Sequence, residues 1–412
     1  MNAINLKDIL TIKIKSRHDS YSDQFNRIFM VKMFLLASVL IGIDYFHDSM
    51  SCIAPIKTNQ MDSNFVQSAC WIAGLYIYPD LTAHTNKVGY YGIPKNLNHD
   101  GINNNEQLCS MSDNEGNKNR FCKPLTKLYF LQYQWYPFYI GSLAVLHYLP
   151  YILFRMTNTD LISLRNSIKD DVPAEDIVMT YFNHKINPVS VQKARTIFNI
   201  IVKCCYIATN ILSFYLMDTS LSGNFVYYGT RWLQWSRFNN SIAHDLQQSR
   251  LPRPGDILLP SMGICEIHEG SRDIRHSVSN KHKFVCEISS NVLYQYVLIV
   301  LWWLMIFAII ISVSGLLATF FGYVKVRRCF CFKGKDALGV YNLLTLRECS
   351  YLEFIRSKEM PLYAEILRRI YLRKHGHIMN LHDVITKYED APSKQNTLPH
   401  PQNQHTHGNG FI

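Results

Sequence analysis

Cysteine is the residue type in this chain whose placement carries the most chemistry. There are eleven, and six of them, Cys52, Cys70, Cys109, Cys122, Cys265 and Cys286, fall in two long polar segments, 47–127 and 218–291. An even number of thiols in such segments fits a disulfide framework made in an oxidising compartment. Cys204, Cys205, Cys329, Cys331 and Cys349 lie in or beside apolar and basic stretches and are expected to be free thiols. Cys329 and Cys331 are too closely spaced and too isolated for a zinc site, and read as a palmitoylated or simply reduced pair. His400, His405 and His407 sit in a tail rich in Pro, Gln, Asn and His, where solvated histidines are the ordinary reading. No Asp-His-His-Cys, His-Glu-x-x-His or Gly-rich phosphate loop is present, so no catalytic residue, metal or cofactor is assigned and an enzyme is not expected. The Asn239-Asn240-Ser241 triplet makes Asn239 a glycosylation candidate.

A second set of residues draws attention by being charged where the chain is otherwise apolar. Lys32 and Asp44 interrupt an apolar run from Ile28 to Phe46, and Lys203 interrupts one from Ile197 to Met217. A charge inside a membrane span costs at least ~2.5 kcal/mol unless it snorkels to the interface or faces water. Lys32 and Lys203 therefore read either as snorkelling to the inner interface or as lining an aqueous pathway.

The elements that must position these residues are membrane helices. A bilayer core of ~30 Å takes roughly 20 apolar residues in a helix. From Ile288 to Val324, and again from Leu128 to Phe154, there is no Asp, Glu, Lys or Arg at all. Pro150 lies inside the second of these runs and is expected to kink it. The mean hydropathy of −0.05 averages over this segregation. The formal charge of +11 is dispersed. Its densest run, Lys325-Val326-Arg327-Arg328, directly follows the longest apolar stretch, as a stop-transfer anchor does, and a nucleic-acid partner is not expected. The run at 28–46 reads as a signal anchor, since a long polar segment precedes it and no Ala-x-Ala site closes it.

The expected fold class is an all-α membrane protein with four transmembrane helices, disulfide-linked extracellular loops and a helical cytoplasmic domain. The expected order is a cytoplasmic N-terminal segment (1–27), a first span (28–46), extracellular loop 1 (47–127) and a second span (128–155). A cytoplasmic loop (156–196), a third span (197–217), extracellular loop 2 (218–291) and a fourth span (292–324) follow, then a cytoplasmic helical region (325–390) and a disordered tail (391–412). The basic residues of the short middle loop, Arg165, Lys169, Lys185, Lys193 and Arg195, place it and both termini in the cytoplasm, in a multi-pass protein of the plasma membrane.

With the spans placed, the residues resemble the innexins, invertebrate gap-junction proteins. Tyr133-Gln134-Trp135 opens the second span and resembles the Tyr-Tyr-Gln-Trp signature, with Gln132 in place of the first Tyr and Tyr136 where Val is usual. Around it, Tyr45 through Asp48 leading to Cys52, Cys70-Trp71 followed by Tyr76 and Pro79, and Leu149-Pro150 through Arg155 agree in order. So do Val202-Lys203 with Tyr206 and Asn210, and Pro260 through Cys265-Glu266, Cys286 and Asn291 to Trp302-Trp303. The resemblance covers about residues 20–325.

It implies an oligomeric large-pore channel for ions and small molecules, built with its own or other innexin subunits. Such rings sit in membrane lipid and can dock with an opposing ring on a neighbouring cell at a cell–cell junction. It implies that the first helix and the N-terminal segment line the pore, giving Lys32 and Asp44 water. Leu6, Ile9 and Leu10, at helical spacing, would belong to a short amphipathic helix in the pore mouth, or else to one on the cytoplasmic face. It also implies the pairing of Cys52 with Cys286 and Cys70 with Cys265, although four cysteines by themselves allow three pairings. One departure is the long stretch between Cys70 and Tyr133, which carries the extra pair Cys109 and Cys122. It argues for a closed local loop and keeps a non-docking, pannexin-like hemichannel in play. A tetraspan adhesion or scaffold protein is the remaining alternative, but neither the Cys-Cys-Gly nor the Trp-Leu-Trp motif expected of one is present.

Overall fold

The computed structural model describes residues 20–47, 50–53, 62–82, 87–111, 122–238, 252–269, 280–328, 340–341 and 344–375. Four of its helices are long and apolar enough to cross a membrane, over Tyr21–Ile43, Gln132–Thr157, Val189–Ser220 and Ser289–Val324. The first, α1, runs as α-helix over Tyr21–Gln24, as π-helix over Phe25–Met30 and as α-helix again over Val31–His47. Its start before residue 28 has a physical reason. Ser22, Asp23, Gln24, Asn26 and Arg27 are polar but buried, so polarity there marks packing rather than exposure to water.

Between α1 and the second span lies a short helix, α2 (Ser63–Ala73). The Asp62 side chain accepts from Asn64 N at 3.1 Å to cap it, and Gly74 ends it at φ 84°, a backbone angle that favours glycine. The second span, α3 (Gln132–Thr157), contains both Pro137 and Pro150. Next come α4 (Thr159–Lys169) and α5 (Ala174–Tyr181), then the third span α6 (Val189–Ser220), which follows Pro188. Two short helices, α7 (Tyr228–Trp235) and α8 (Pro254–Leu258), precede the fourth span, α9 (Ser289–Arg328). Helices α10 (Leu346–Lys358) and α11 (Met360–His375) close the described chain.

The bundle core shows the spacing of two to four helical faces meeting. Met30, Phe34, Ala37 and Ile41 of α1 are buried against Tyr136, Ile140 and Leu143 of α3, and against Tyr294, Leu298, Leu301 and Met305 of α9. Between α1 and α3 the contact is close enough for Ser38 Oγ to donate to the Pro137 carbonyl at 2.7 Å. Leu35, Val39, Val145, Leu149, Phe307 and Phe320 stay exposed on the outside, as helices solvated by lipid allow.

The expectation of an all-α chain needs correction at one end. Besides α2, α7 and α8, the described parts of the polar segments and the start of the second run hold strands: β1 (Ser51–Ile53), β2 (Leu75–Ile77), β3 (Val88–Tyr90), β4 (Ile93–Pro94), β5 (Gly101–Asn103), β6 (Leu108–Cys109), β7 (Cys122–Pro124), β8 (Leu128–Phe130), β9 (Met262–Glu269) and β10 (Asn280–Glu287). Five strands form one sheet in the order β1-β10-β9-β2-β8, and β6-β5-β7 form a smaller one. Leu128–Phe130, expected to open the second span, is the edge strand β8. An uncharged run this short satisfies a strand as readily as a helix.

Candidate functional site

The sheet end is built from both polar segments at once. In the hairpin β9–β10, Glu266 faces Lys283 and Cys286 faces Gly263 in antiparallel register. β1 adds to one edge with Cys52 opposite Cys286, and β2 adds to the other through Tyr76 opposite Ile264. Two disulfides lock this arrangement. Cys52 is bonded to Cys286, with Cα atoms 4.0 Å apart, and Cys70 on α2 is bonded to Cys265 on β9, at 5.6 Å. Cys70, Cys265 and Cys286 are fully buried. The sulfurs of Cys52, Cys70 and Cys286 lie within 4.8 Å of one another. All three are consumed in disulfides, so no thiolate remains there to hold a metal.

The Tyr-Gln-Trp motif anchors this sheet to the bundle. Tyr133 Oη donates to the Trp71 carbonyl at 2.7 Å, and Gln134 Nε2 donates to the same oxygen at 2.6 Å. That carbonyl adjoins Cys70, so the motif fixes the residue beside a disulfide. Trp135 instead packs edge-on against Tyr139, with ring centroids 5.3 Å apart, and is partly exposed. Pro150 is buried within α3.

The sheet surface carries a charge node. Glu266 accepts from Lys127 Nζ at 2.7 Å and from Tyr76 Oη at 3.1 Å, and Lys281 completes the cluster at 2.5 Å. Burial alone would raise the Glu266 carboxyl, but the two lysines outweigh it and hold it at about 2.

The extra cysteine pair closes a subunit of the same end. Cys109 is bonded to Cys122, and β5 runs between the strands that carry them. Gly101 is required here, because a Cβ would collide with Cys122 Sγ and lie 2.8 Å from the Lys123 carbonyl. Residues 97–109 are not a free surface loop. Leu97, Ile102 and Leu108 pack on a core made by Tyr76, Tyr78, Phe130 and Ile264, and Lys283 Nζ donates to the Leu97 carbonyl at 3.0 Å.

Within the bundle, Lys203 is buried and paired with Asp23, and also bonds Ser20. Both readings of Lys203 from sequence, snorkelling and an aqueous pathway, are therefore corrected: an acid on α1 compensates it inside the protein. Asp23 lies within a segment expected to precede the span, and nothing in the apolar runs marks it. Beside it, Asn26 Nδ2 donates to Ser312 Oγ at 2.8 Å, and Asn210 Nδ2 to Asn26 Oδ1 at 2.9 Å. The Arg27 guanidinium lies 4.0 Å from the centre of the Tyr151 ring. Lys32 is half-buried on α1. Asp44 lies on the same helix, but its side chain falls outside the described residues, as do Leu6, Ile9, Leu10 and Asn239.

At the opposite end α4, α5, α10 and α11 share a core of Leu164, Ile177, Tyr351, Leu352, Ile355 and Ile366. Arg347 forks onto Asp160 through Nε at 2.9 Å and Nη2 at 2.6 Å, and Tyr351 Oη also bonds that carboxylate. Burial would raise the Asp160 carboxyl, but Arg347 holds it below the ordinary range. Thr345 and Glu348 form a reciprocal capping box at the start of α10.

A family model described as Innexin matches residues 19–371. A curated relative, Innexin inx3 of Drosophila melanogaster, is 24% identical over 200 residues, covering 46% of this chain and 47% of that protein. The matched region thus spans about half the length of that relative.

Proposed function

The chain belongs to the innexin family, a family of gap-junction channel proteins, and we propose that it is a subunit of a large-pore channel that joins neighbouring cells. The observation that carries this reading is the doubly clamped sheet. A surface that must meet an opposing ring binds best when little of it has to be ordered on contact. Here β1, β2 and β8 from one polar segment are fastened to β9 and β10 from the other by two disulfides and by hydrogen bonds from α3.

On this reading the sheet faces outward and both termini, with α4, α5, α10 and α11, lie in the cytoplasm. The ring assembles in the plasma membrane from copies of this chain or other innexin subunits. The first helix lines the pore, so Lys32 and Asp44 contribute wall charge and Leu6, Ile9 and Leu10 reach the pore mouth. Lys203 is off the pathway because Asp23 neutralises it. The added residues around β5 and β6, packed on the sheet and closed by the Cys109–Cys122 bond, favour a second possibility, a ring that docks selectively or works alone as a hemichannel.

Dye uptake by isolated expressing cells and dye passage between paired cells test the two halves of this reading. Uptake without passage would leave a hemichannel. The absence of both, with normal surface delivery, would remove the channel. A tag after Ile412 should bind antibody only in permeabilised cells, and labelling of intact cells would overturn the orientation. Asp44→Lys should raise anion over cation permeability, read as a reversal-potential shift in asymmetric salt. An unchanged reversal potential would take Asp44 off the pathway.

A further inference from the structure

Two arginines stand beside the sheet-end entry of α9 into its apolar run, and among the described residues neither is paired with a carboxylate. Arg253, immediately before α8, donates from Nη2 to Tyr296 Oη at 2.9 Å. Its guanidinium lies 5.6 Å from the Tyr296 ring and 5.8 Å from the Trp232 ring, and those rings are 6.2 Å apart. Its Nε is buried and has no hydrogen-bond partner among the described residues. Arg231 on α7 donates to a neutral group, Asn224 Oδ1, at 3.2 Å. Asp256 on α8 engages Gln295 Nε2 at 3.4 Å. Burial raises its carboxyl, more than the charge of Arg253 lowers it.

The helices that carry or adjoin these arginines also expose large apolar side chains. Tyr227 and Leu233 around α7, and Tyr296 and Val300 on α9, are exposed at 61%, 48%, 50% and 51%. Aromatic rings with polar tips beside the end of a membrane span are the composition of a bilayer interface. Guanidinium forks between such rings match a phosphate in charge and in donor geometry. We propose that Arg253 and Arg231, with Trp232 and Tyr296, hold the phosphodiester of a glycerophospholipid in the leaflet at the sheet end, its acyl chains lying along Val300 of α9. The Tyr296 hydroxyl accepts from Nη2 and positions Arg253, whose remaining Nη hydrogens are the donors left for the lipid. The site needs α9 in a membrane and is independent of whether rings dock.

The test is native mass spectrometry of the full-length oligomer in mild detergent, titrated with palmitoyl-oleoyl-phosphatidylglycerol and, separately, with a diacylglycerol of the same chains. The wild-type protein should retain the phospholipid and not the diacylglycerol. Arg253→Gln should raise the concentration needed for retention about tenfold, as loss of charge-assisted hydrogen bonds implies. Arg231→Gln should shift it less, and Arg253→Lys should recover part of the loss. Arg369→Gln, at the opposite end of the molecule, should change nothing. Equal retention by wild type and Arg253→Gln overturns the site, as does equal retention of diacylglycerol. An altered oligomer mass with unchanged lipid retention also overturns it, and would assign this face to a neighbouring subunit. Should Arg253→Gln fail to assemble, Tyr296→Phe removes only the positioning hydroxyl. It should still weaken retention several-fold, and unchanged retention there counts equally against the proposal.

Discussion

The two ends of this molecule hold small folded caps on one helical bundle, and they do so by different chemistry. The sheet end is closed by three disulfides and carries its main charge node at the surface. The helical end has no disulfide among the described residues. Its Cys349 is a buried free thiol, and a buried Arg347–Asp160 fork with Tyr351 ties α4 to α10. A covalent link works only where thiols oxidise. Elsewhere the same mechanical task falls to an ion pair that is stable only while both partners are present. The contrast follows the proposed sidedness of the membrane.

The largest effect that would test this contrast is loss of a clamp. Cys70→Ser or Cys265→Ser should destabilise the sheet end by about 2–5 kcal/mol and abolish surface delivery or channel activity. Normal conductance in either variant would mean that the bundle holds the sheet unaided. Next comes Arg347→Met, which leaves Asp160 buried with weaker partners. The expected loss is about 3 kcal/mol, read as protease cleavage within α10 and α11. The double change Arg347→Met with Asp160→Leu should lose less than the single one, and equal losses would show that packing rather than charge binds α4 to α10.

A smaller effect should come from the paired change Cys109→Ser and Cys122→Ser. This bond closes a short loop between β6 and β7, so the expected cost is about 2 kcal/mol, confined to β5, β6 and β7. Dye uptake should persist while coupling between paired cells changes. Unaltered uptake and coupling would make the segment a passive insertion. The smallest effect is acid. Glu266 and Asp160 are both held below their ordinary range, so their stabilisation is complete above that range and is lost as pH falls through the depressed value. For Glu266 the window runs from its ordinary 4.5 down to about 2. Glu266→Gln should remove the pH dependence at the sheet end at a cost of under about 1 kcal/mol. Hydrogen-exchange protection across β9, taken relative to the intrinsic exchange rate at each pH, that still falls with acid in this variant would place the titrating group elsewhere.

What was legible in the sequence followed from one-dimensional signals. Apolar runs are visible as such, two of them uncharged and two interrupted by Lys32, Asp44 and Lys203, and they located the four spanning helices. The sheet was not visible. β1, β2 and β8 are three residues long, and β2 is buried on both faces, so it shows no alternation to read. The neighbours that β1 and β2 find in β10 and β9 arrive from the far side of two spans. Lys203 failed for a related reason: its partner Asp23 is 180 residues away, and a charge in an apolar run looks unpaired until that acid is placed beside it. The clustered polar residues at the start of α1 misled in the opposite direction. Asn26 and Asp23 look like the end of a span, yet they are its internal contacts with α6 and α9. The pairing partners of the clamp cysteines were implied by family resemblance, since spacing alone cannot choose among them.

The strand order β1-β10-β9-β2-β8 also sets a timetable for biosynthesis. Strands from the first polar segment occupy both flanks of a hairpin from the second, so the sheet cannot begin to close until β9 and β10 have been made. Cys70 waits 195 residues for Cys265. At about 5–20 residues per second that is a delay of roughly 10–40 s, during which two spans are inserted. Throughout that interval the first segment presents bare strand edges and unpaired thiols to whatever shares its compartment, Cys109 and Cys122 excepted, because these two lie close enough to join at once. The nascent chain therefore depends on oxidoreductases and holding chaperones for longer than its length alone would indicate.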